Sequence, residues 1–340
     1  MAIGLTPGNG AVFRFVYDIM RTCLSRRSAE DTGSGCLESH MPDEAPPELV
    51  DRVAALMGER PIAWRRTTGG YSTAERWVVT FEGGSSVFVK SGAGHLATFL
   101  RAEHDRIYSR LEAAFLPRLI AWSDDGQAPL LLLEDLSDAR WPPEWRLGDV
   151  DAVLDALTSL QDGSSILGDL PQVEEAHPDA TLRSNWHQIE ADPLPFLSLG
   201  LCREPWLQEA LPALHEAAEI APLEGGDILH LDVRSDNLCF KGRQAVLVDW
   251  NHVCRGNREL DIAFWLPSLH SEGGPKPEAI TAMEPGWPAV VSGYFAARAG
   301  LPPITQAPMV RDVQLSQLRA ALPWAVRALG LPPLDGPNAP

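Results

Sequence analysis

The residues best equipped for chemistry lie close together in the chain. His230-Leu231-Asp232-Val233-Arg234-Ser235-Asp236-Asn237 is followed by a short Lys241-Gly242-Arg243 turn, an apolar run from Ala245 to Val248, and then Asp249-Trp250-Asn251. Two acids and an amide are thus offered by adjacent loops around a short strand-like run. Phosphoryl transfer needs this donor set: oxygen ligands for a hard cation and one carboxylate to orient and deprotonate a hydroxyl. Asn237 and Asp249 are the expected metal ligands, and Asp232 the expected base.

A second group sits upstream. Thr67-Thr68-Gly69-Gly70-Tyr71-Ser72 separates two β-type runs, where backbone amides free of bulky side chains can approach phosphate groups, with Gly69, Gly70 and Ser72 as candidates. Lys90 closes the run Val87-Phe88-Val89-Lys90, and Glu103 follows thirteen residues later on a helical pattern. The expectation is that Lys90 reaches phosphate oxygens while Glu103 holds it.

The spacing His-x-Asp-x4-Asn, met by His230, Asp232 and Asn237, with Asp249 twelve residues on, resembles the catalytic and metal-binding loops of the aminoglycoside phosphotransferase family, relatives of the protein kinases. Gly256-Asn257 and Leu260-Asp261-Ile262-Ala263 resemble the stretch that follows those loops. The resemblance runs from about Arg60 to Leu266. It implies a small-molecule kinase using ATP, with GTP an open alternative, and Mg2+. In that frame Lys90 and Glu103 match the kinase Lys–Glu pair, and the hinge that meets the nucleotide base falls at Leu131 to Leu136, with Glu134 and Leu136 as candidates. His230 is expected to anchor its loop and Asp261 to brace it from behind.

The chain also departs from the family. Leu231 stands where the family often has glycine, and Arg234 where it often has histidine; Arg234 is expected to compensate transferred charge. Trp250-Asn251 follows the metal Asp where protein kinases have Phe-Gly, and no Ala-Pro-Glu segment anchors an activation loop, so a protein kinase is the weaker reading. A kinase-like fold that binds nucleotide or a partner without catalysis is a further alternative. Against it stands the joint presence of Lys90, Asp232, Asn237 and Asp249.

The elements needed to position these residues are legible as hydrophobic patterns. Short strand-type runs at Ile62–Arg66, Trp77–Phe81 and Val87–Lys90, separated by Gly69-Gly70 and Gly83-Gly84, predict a meander. An amphipathic helix over Leu96–Leu111 and two further strands, Leu116–Trp122 and Leu130–Leu133, complete a βββαββ order. Beyond Trp141-Pro142-Pro143 the pattern turns helical at Val150–Leu160, Trp206–Ile220, Val290–Ala299 and Val313–Leu329. The fold class expected is α+β, a protein-kinase-like two-lobe fold with a β-rich N-terminal lobe and a mostly helical C-terminal lobe. The expected division is a nucleotide-binding lobe at 41–136, a hinge near 131–141, and a catalytic and substrate-binding lobe at 142–335. Residues 1–40 read as a flexible leader, which a translation start at Met41 would leave out of the native product.

Composition narrows the partners. A net charge of -18 over 340 residues excludes a nucleic-acid backbone and suits a cationic acceptor such as an amino sugar or cationic antibiotic. Glu204, Glu209, Glu216, Glu259 and Glu272 are the acids expected to line the acceptor site. No apolar run is long enough for a membrane helix, so a soluble, cytoplasmic protein is expected. Five cysteines without a CxxC pair support neither a disulfide framework nor a zinc ribbon. The His252 and Cys254 pair alone is too little for zinc, and the tryptophans in apolar runs (Trp64, Trp77, Trp122, Trp250, Trp265) are expected to pack. The acceptor's identity and the oligomeric state are not encoded in any motif.

Overall fold

The structure, a computed structural model, describes residues 44–67, 75–304, 307 and 309–340. The segment 1–40, Met41, and the Gly69, Gly70 and Ser72 turn lie outside the described residues.

After Pro46 the chain enters helix α1 (Pro47–Met57), which stops at Gly58 with φ of 70°. A left-handed residue at that position ends the helix without steric cost because glycine has no Cβ. Strands β1 (Ala63–Arg66), β2 (Glu75–Thr80) and β3 (Ser86–Ser91) form the expected antiparallel meander. Helix α2 (His95–Glu103) follows, then β4 (Leu119–Ser123) and β5 (Leu130–Glu134), giving one sheet in the order β1-β2-β3-β5-β4.

The two-residue period of the strands separates two environments. Trp77, Val79, Val87, Val89, Leu130 and Leu132 bury one face of the sheet beneath Leu49 and Val53 of α1. Arg76, Val78, Phe88 and Lys90 alternate with them and line the cleft on the opposite face. Lys90 is therefore delivered to the cleft by the register that puts Val87 and Val89 in the core.

The helix expected over Leu96–Leu111 is α-helical only to Glu103 and continues as a π-helical turn over His104–Tyr108. The wider turn rotates the chain at Glu103, the residue that must meet Lys90.

A connection with no long element leads to α3 (Asp149–Leu160), tied on the way to the helical region by reciprocal backbone bonds between Arg140 and Phe240. Then come α4 (Val173–Ala176), α5 (Asn185–Ala191), α6 (Leu194–Leu197) and α7 (Glu204–Glu219). Strand β6 (Asp227–Leu229) pairs with β9 (Cys254–Gly256), and β7 (Leu238–Lys241) with β8 (Gln244–Leu247). The chain closes with α8 (Glu259–Ser271), α9 (Pro277–Ile280), α10 (Gly286–Ala299) and α11 (Val310–Ala328). A β-rich first region and a mostly helical second one form the α+β architecture anticipated from the sequence.

The sequence reading passed over α5 and α8, and both have physical reasons. Helix α8 buries Leu260, Ala263, Trp265, Leu266 and Leu269, which surround its axis and leave no polar face for periodicity to reveal. Helix α5 has only two turns. Trp77, Trp250 and Trp265 are fully buried, as expected of packing residues. Trp64 packs edge-on to Trp77, and Trp122 stacks on His104 with ring centroids 4.0 Å apart. Among the described residues, no helix is long and apolar enough to cross a membrane.

Helix α10 forms the axis of the helical region, and its contact with α5 leaves no room for growth. A Cβ on Gly293 would lie 2.7 Å from Nε1 of buried Trp186, which donates to the Ala289 carbonyl at 2.8 Å. Helix propensity alone favours Gly293→Ala by about 1 kcal/mol. Overpacking opposes it by about 1–3 kcal/mol. Denaturant titration should show the variant less stable than the wild type despite its better helix former.

Candidate active site

A cleft of 820 Å³ runs along the lower face of the sheet. Its walls are Arg76, Val78, Phe88 and Lys90 from the strands, Glu134 to Ser137 from the segment after β5, Ser235 to Asn237 and Asp249 from two loops, and one face of α11.

The loop between β6 and β7 carries Asp232 and Asn237, and the residues after β8 carry Asp249. The Asn237 side-chain amide donates to the Asp232 backbone oxygen at 3.0 Å and to Asp232 Oδ2 at 2.6 Å. This orientation leaves the Asn237 side-chain oxygen for another partner. Asp249 Oδ1 accepts from Lys90 Nζ at 2.8 Å, and Glu103 Oε2 accepts from the same nitrogen at 2.7 Å. Lys90 and Glu103 are buried, while the Asp249 side chain keeps 27% exposure on the cleft side.

This triad sets its own ionisation. Burial lowers the affinity of the Lys90 amine for its proton, but Asp249 and Glu103 outweigh burial and raise it. Burial also works to raise the Asp249 carboxyl, yet the Lys90 ammonium and Arg76 hold it well below the usual carboxylate range. Glu103 is raised, chiefly by burial, with Lys90 opposing.

Behind the loop lies a polar brace. Asp261 on α8 accepts from the amides of His230 and Leu231, both at 2.7 Å. His230 Nδ1 faces the Asp232 amide at 3.2 Å and Nε2 faces the Val248 carbonyl at 3.0 Å, which fixes the ring as the neutral Nε2–H tautomer. Burial lowers the His230 pKa to about 4, in keeping with a ring that stays uncharged.

These bonds explain the Leu231 departure. Leu231 has φ of 61° and Asp249 φ of 67°, in the left-handed region that disfavours a Cβ. For leucine the cost is about 1–2 kcal/mol. Asp261 holds the amide on one side of Leu231, and the buried Leu231 side chain contributes packing that glycine would lack.

Other candidates are placed less directly. Asp232 is buried and is absent from the cleft wall. Arg234 Nε lies 3.0 Å from Asp232 Oδ1 and 3.5 Å from Asp236 Oδ1, so the arginine neutralises this pair of acids from within the loop. Burial raises the Asp232 carboxyl well above its ordinary value, Arg234 opposes, and Asp236 and Asp249 add to the rise. Leu136 lines the cleft; its carbonyl accepts from the Ala139 amide at 3.1 Å and the Trp141 indole at 3.3 Å. Glu134 also lines it and pairs with Lys241 of β7.

Of the five acids expected at an acceptor site, only Glu272 lines this cleft; Glu204, Glu209 and Glu216 project from α7, and Glu259 lies at the start of α8. Glu272 accepts from Ser235 Oγ at 2.5 Å and from the Trp145 indole at 2.9 Å, joining the β6–β7 loop to the segment before α3.

The sequence reading missed Arg76, which pairs across the ladder with Lys90, and the α11 face of Met309, Asp312, Val313 and Ser316. Arg76 was legible as the cation directly before the Trp77–Phe81 run, on the strand that pairs with the one carrying Lys90. Nothing local marked the α11 face, which mixes apolar Met309 and Val313 with polar Asp312 and Ser316 in a helix that is mixed along its length.

No protein-family model and no curated protein matches the sequence. Solved structures do match in fold. One is a choline/ethanolamine kinase family protein from Mesorhizobium loti, 13% identical, with a TM-score of 0.54 over 83% of this chain and 97% of that one. Another is a thermostable mutant of aminoglycoside phosphotransferase APH(4)-Ia in ternary complex with AMP-PNP and hygromycin B. It is 13% identical, with a TM-score of 0.51 over 84% of this chain and 98% of that one. The fold is the protein-kinase-like one. In that fold the cleft described above lies between the sheet and the helical region, and the sequence resemblance and the structural likeness point to the same architecture.

Two predictions follow from the geometry of this kinase-like cleft. Lys90→Met leaves Glu103 and Asp249 facing each other without their cation, and should destabilise the protein by about 3–5 kcal/mol. Adding Glu103→Gln should recover part of that loss in urea titrations, because one of the two stranded charges is removed.

The second concerns Asp261. Burial pushes its carboxyl up to about 7, although the His230 and Leu231 amides pull it down. An acid raised on folding takes up a proton between its unfolded and folded values, so its contribution is full below about pH 4 and is lost as pH rises through about 7. The wild type should therefore lose stability relative to Asp261→Asn over that window, whatever the overall cost of the substitution. Parallel thermal melts from pH 4 to 8 measure the difference.

Proposed function

We propose that this protein transfers the terminal phosphoryl group of a nucleoside triphosphate to a hydroxyl of a small molecule. The observation that carries the reading is the Lys90 ammonium held between Glu103 and Asp249, with Asn237 and Asp232 on the facing loop. A plain structural ion pair needs none of the loop residues, whereas nucleotide-dependent phosphoryl transfer needs all of them.

On this reading 41–136 forms the nucleotide-binding lobe, with the hinge near 131–141, and 142–335 the catalytic and acceptor lobe. The donor set fits a hard divalent cation: the Asp249 carboxylate has one oxygen beyond Lys90, and the Asn237 side-chain oxygen is turned away from its own hydrogen bonds. Asn237 and Asp249 would hold Mg2+, which supplies neutralisation of phosphoryl charge when bound. Lys90 aligns the nucleotide phosphates and Glu103 fixes Lys90, while Gly69, Gly70 and Ser72 stay the sequence's candidates to cover the phosphates. The segment from Glu134 to Leu136 meets the base, of ATP or of GTP, through backbone groups.

Asp232 orients the acceptor hydroxyl and takes its proton at the carboxylate. Its raised affinity for a proton suits that task, and Arg234 opposes the rise by favouring the ionised form. The acceptor class we favour is a cationic amino sugar or antibiotic, since Asp236, Glu272 and Asp312 add carboxylates to the cleft. Cytoplasmic action on such a compound agrees with the chain's composition.

A second reading has an observation in its favour. Asp232 is absent from the cleft wall and engaged by Arg234, which suits a kinase-like protein that binds nucleotide without transfer. The two separate in one assay. Wild type and Asp232→Asn are given magnesium ATP or GTP with a panel of amino-sugar antibiotics, macrolides, sugars and choline, and products are read by mass. A gain of one phosphoryl group that falls by about 10²–10⁴-fold in the variant supports transfer. Nucleotide binding equal in both proteins, with no acceptor or protein phosphorylated, moves the assignment to the binding protein.

A further inference from the structure

Away from the cleft, helices α5 and α7 bring two histidines and two glutamates onto one shared surface. His187 and Glu190 stand three residues apart on α5, and His215 and Glu219 four apart on α7, so each pair lies on one helix face. The two imidazoles are in contact, with ring centroids 3.8 Å apart.

The arrangement divides into ligands and support. His187 Nε2 bonds Glu219 Oε1 at 2.8 Å, which turns its other nitrogen, Nδ1, toward Glu190 Oε2 at 3.7 Å. On the other side of that oxygen lies His215 Nε2 at 3.3 Å. Ligands about 2.0–2.2 Å from a tetrahedral ion stand roughly 3.3–3.6 Å apart, so both separations are close to what one shared ion would impose. All the ligand atoms of His187, Glu190 and His215 lie within 4.8 Å of one another.

A second observation points to a ligand. Both ring nitrogens of His215 are screened from solvent and make no hydrogen bond among the described residues, although Glu190 is within ion-pair distance. His215 is only partly buried, but ring nitrogens screened from water with an unused lone pair are costly unless something is supplied to them. The carboxylate behind His187 is the support that metal-bound histidines commonly have, where it fixes the tautomer and strengthens the donor. The nearby Arg183 does not compete with an ion for the Glu190 or Glu219 carboxylates: it is bound to Glu174, Glu224 and the backbone oxygens of Glu219 and Ala221.

We propose that His187, Glu190 and His215 form a site for one divalent transition-metal ion of the zinc class, with Glu219 orienting His187 and the fourth position open to water. One carboxylate and two neutral imidazoles leave a single positive charge at the ion, which Glu219 balances. The ion would clamp α5 to α7, both of which also pack against α10. None of the four residues lines the cleft, so the site stands whether or not the phosphotransferase reading does.

The test is calorimetric titration of the full chain with Zn2+, without magnesium or nucleotide, alongside thermal melts. The wild type should bind one zinc at this site and melt higher with it, by linkage to the folded state. His187→Gln, at an exposed position, and His215→Gln should each abolish both effects, and Glu219→Gln should weaken binding by about 10-fold or more. Absence of binding, an unchanged melting midpoint in the wild type, or zinc binding undiminished in His187→Gln would each overturn the assignment.

Discussion

The contact on which the rest of the site depends is the Lys90 ammonium held between two carboxylates from different parts of the chain. Glu103 comes from the helix that crosses the sheet, Asp249 from the strand hairpin of the helical region, and Lys90 from the sheet itself. Each of the three would be expensive to bury alone, and together they leave one unit of negative charge that Arg76 offsets from the same wall. A cleft with a fixed cation beside an excess of carboxylate favours a ligand that brings both signs, as a metal–phosphate group does. The same triad ties the sheet to the helical region, alongside the Glu134–Lys241 pair, so the geometry of that ligand site and the placement of the two regions are coupled.

The β6–β7 loop shows how strain is tolerated where function needs a fixed geometry. Leu231 and Asp249 both occupy left-handed backbone conformations, and the surrounding bonds over-determine them: Asp261 takes two amides, His230 joins the Asp232 amide to the Val248 carbonyl, and Asn237 clasps Asp232. Removing any one of these leaves the others to carry a conformation that a leucine does not adopt by itself. The reading of His230 as an anchor and of Asp261 as a brace, made from the resemblance, corresponds to what these bonds do.

Much of the site was legible in the sequence because its spacing is local. His230, Asp232 and Asn237 sit in one loop, and Lys90 and Glu103 are separated by a single turn and a helix, so a pattern of residue types carries nearly all the geometry. The alternation that buries Val87 and Val89 also dictates that Lys90 faces the other way. What could not be read depends on long-range closure. That α11, some seventy residues after Asn237, forms a wall of the cleft follows from helix packing around α10, which no local period records. Four of the five acids expected at the acceptor site lie elsewhere for the same reason: acidity along the chain says nothing about which helix face turns inward. Helix α8 escaped notice because it is apolar all round, and a periodicity argument needs a polar side to contrast with.

The position of Asp232 is the most informative departure. A carboxylate that takes a proton from a substrate must meet that substrate, yet here it lies behind Asn237 and Asp236, matched by the Arg234 guanidinium. The family resemblance placed histidine where Arg234 stands. An arginine there is always charged and planar, so it binds both Asp232 and Asp236 and draws the loop closed around itself. On the phosphotransferase reading, Asp232 can meet an acceptor only if this pairing loosens, so the residue that departs from the family pattern also sets the reach of the carboxylate.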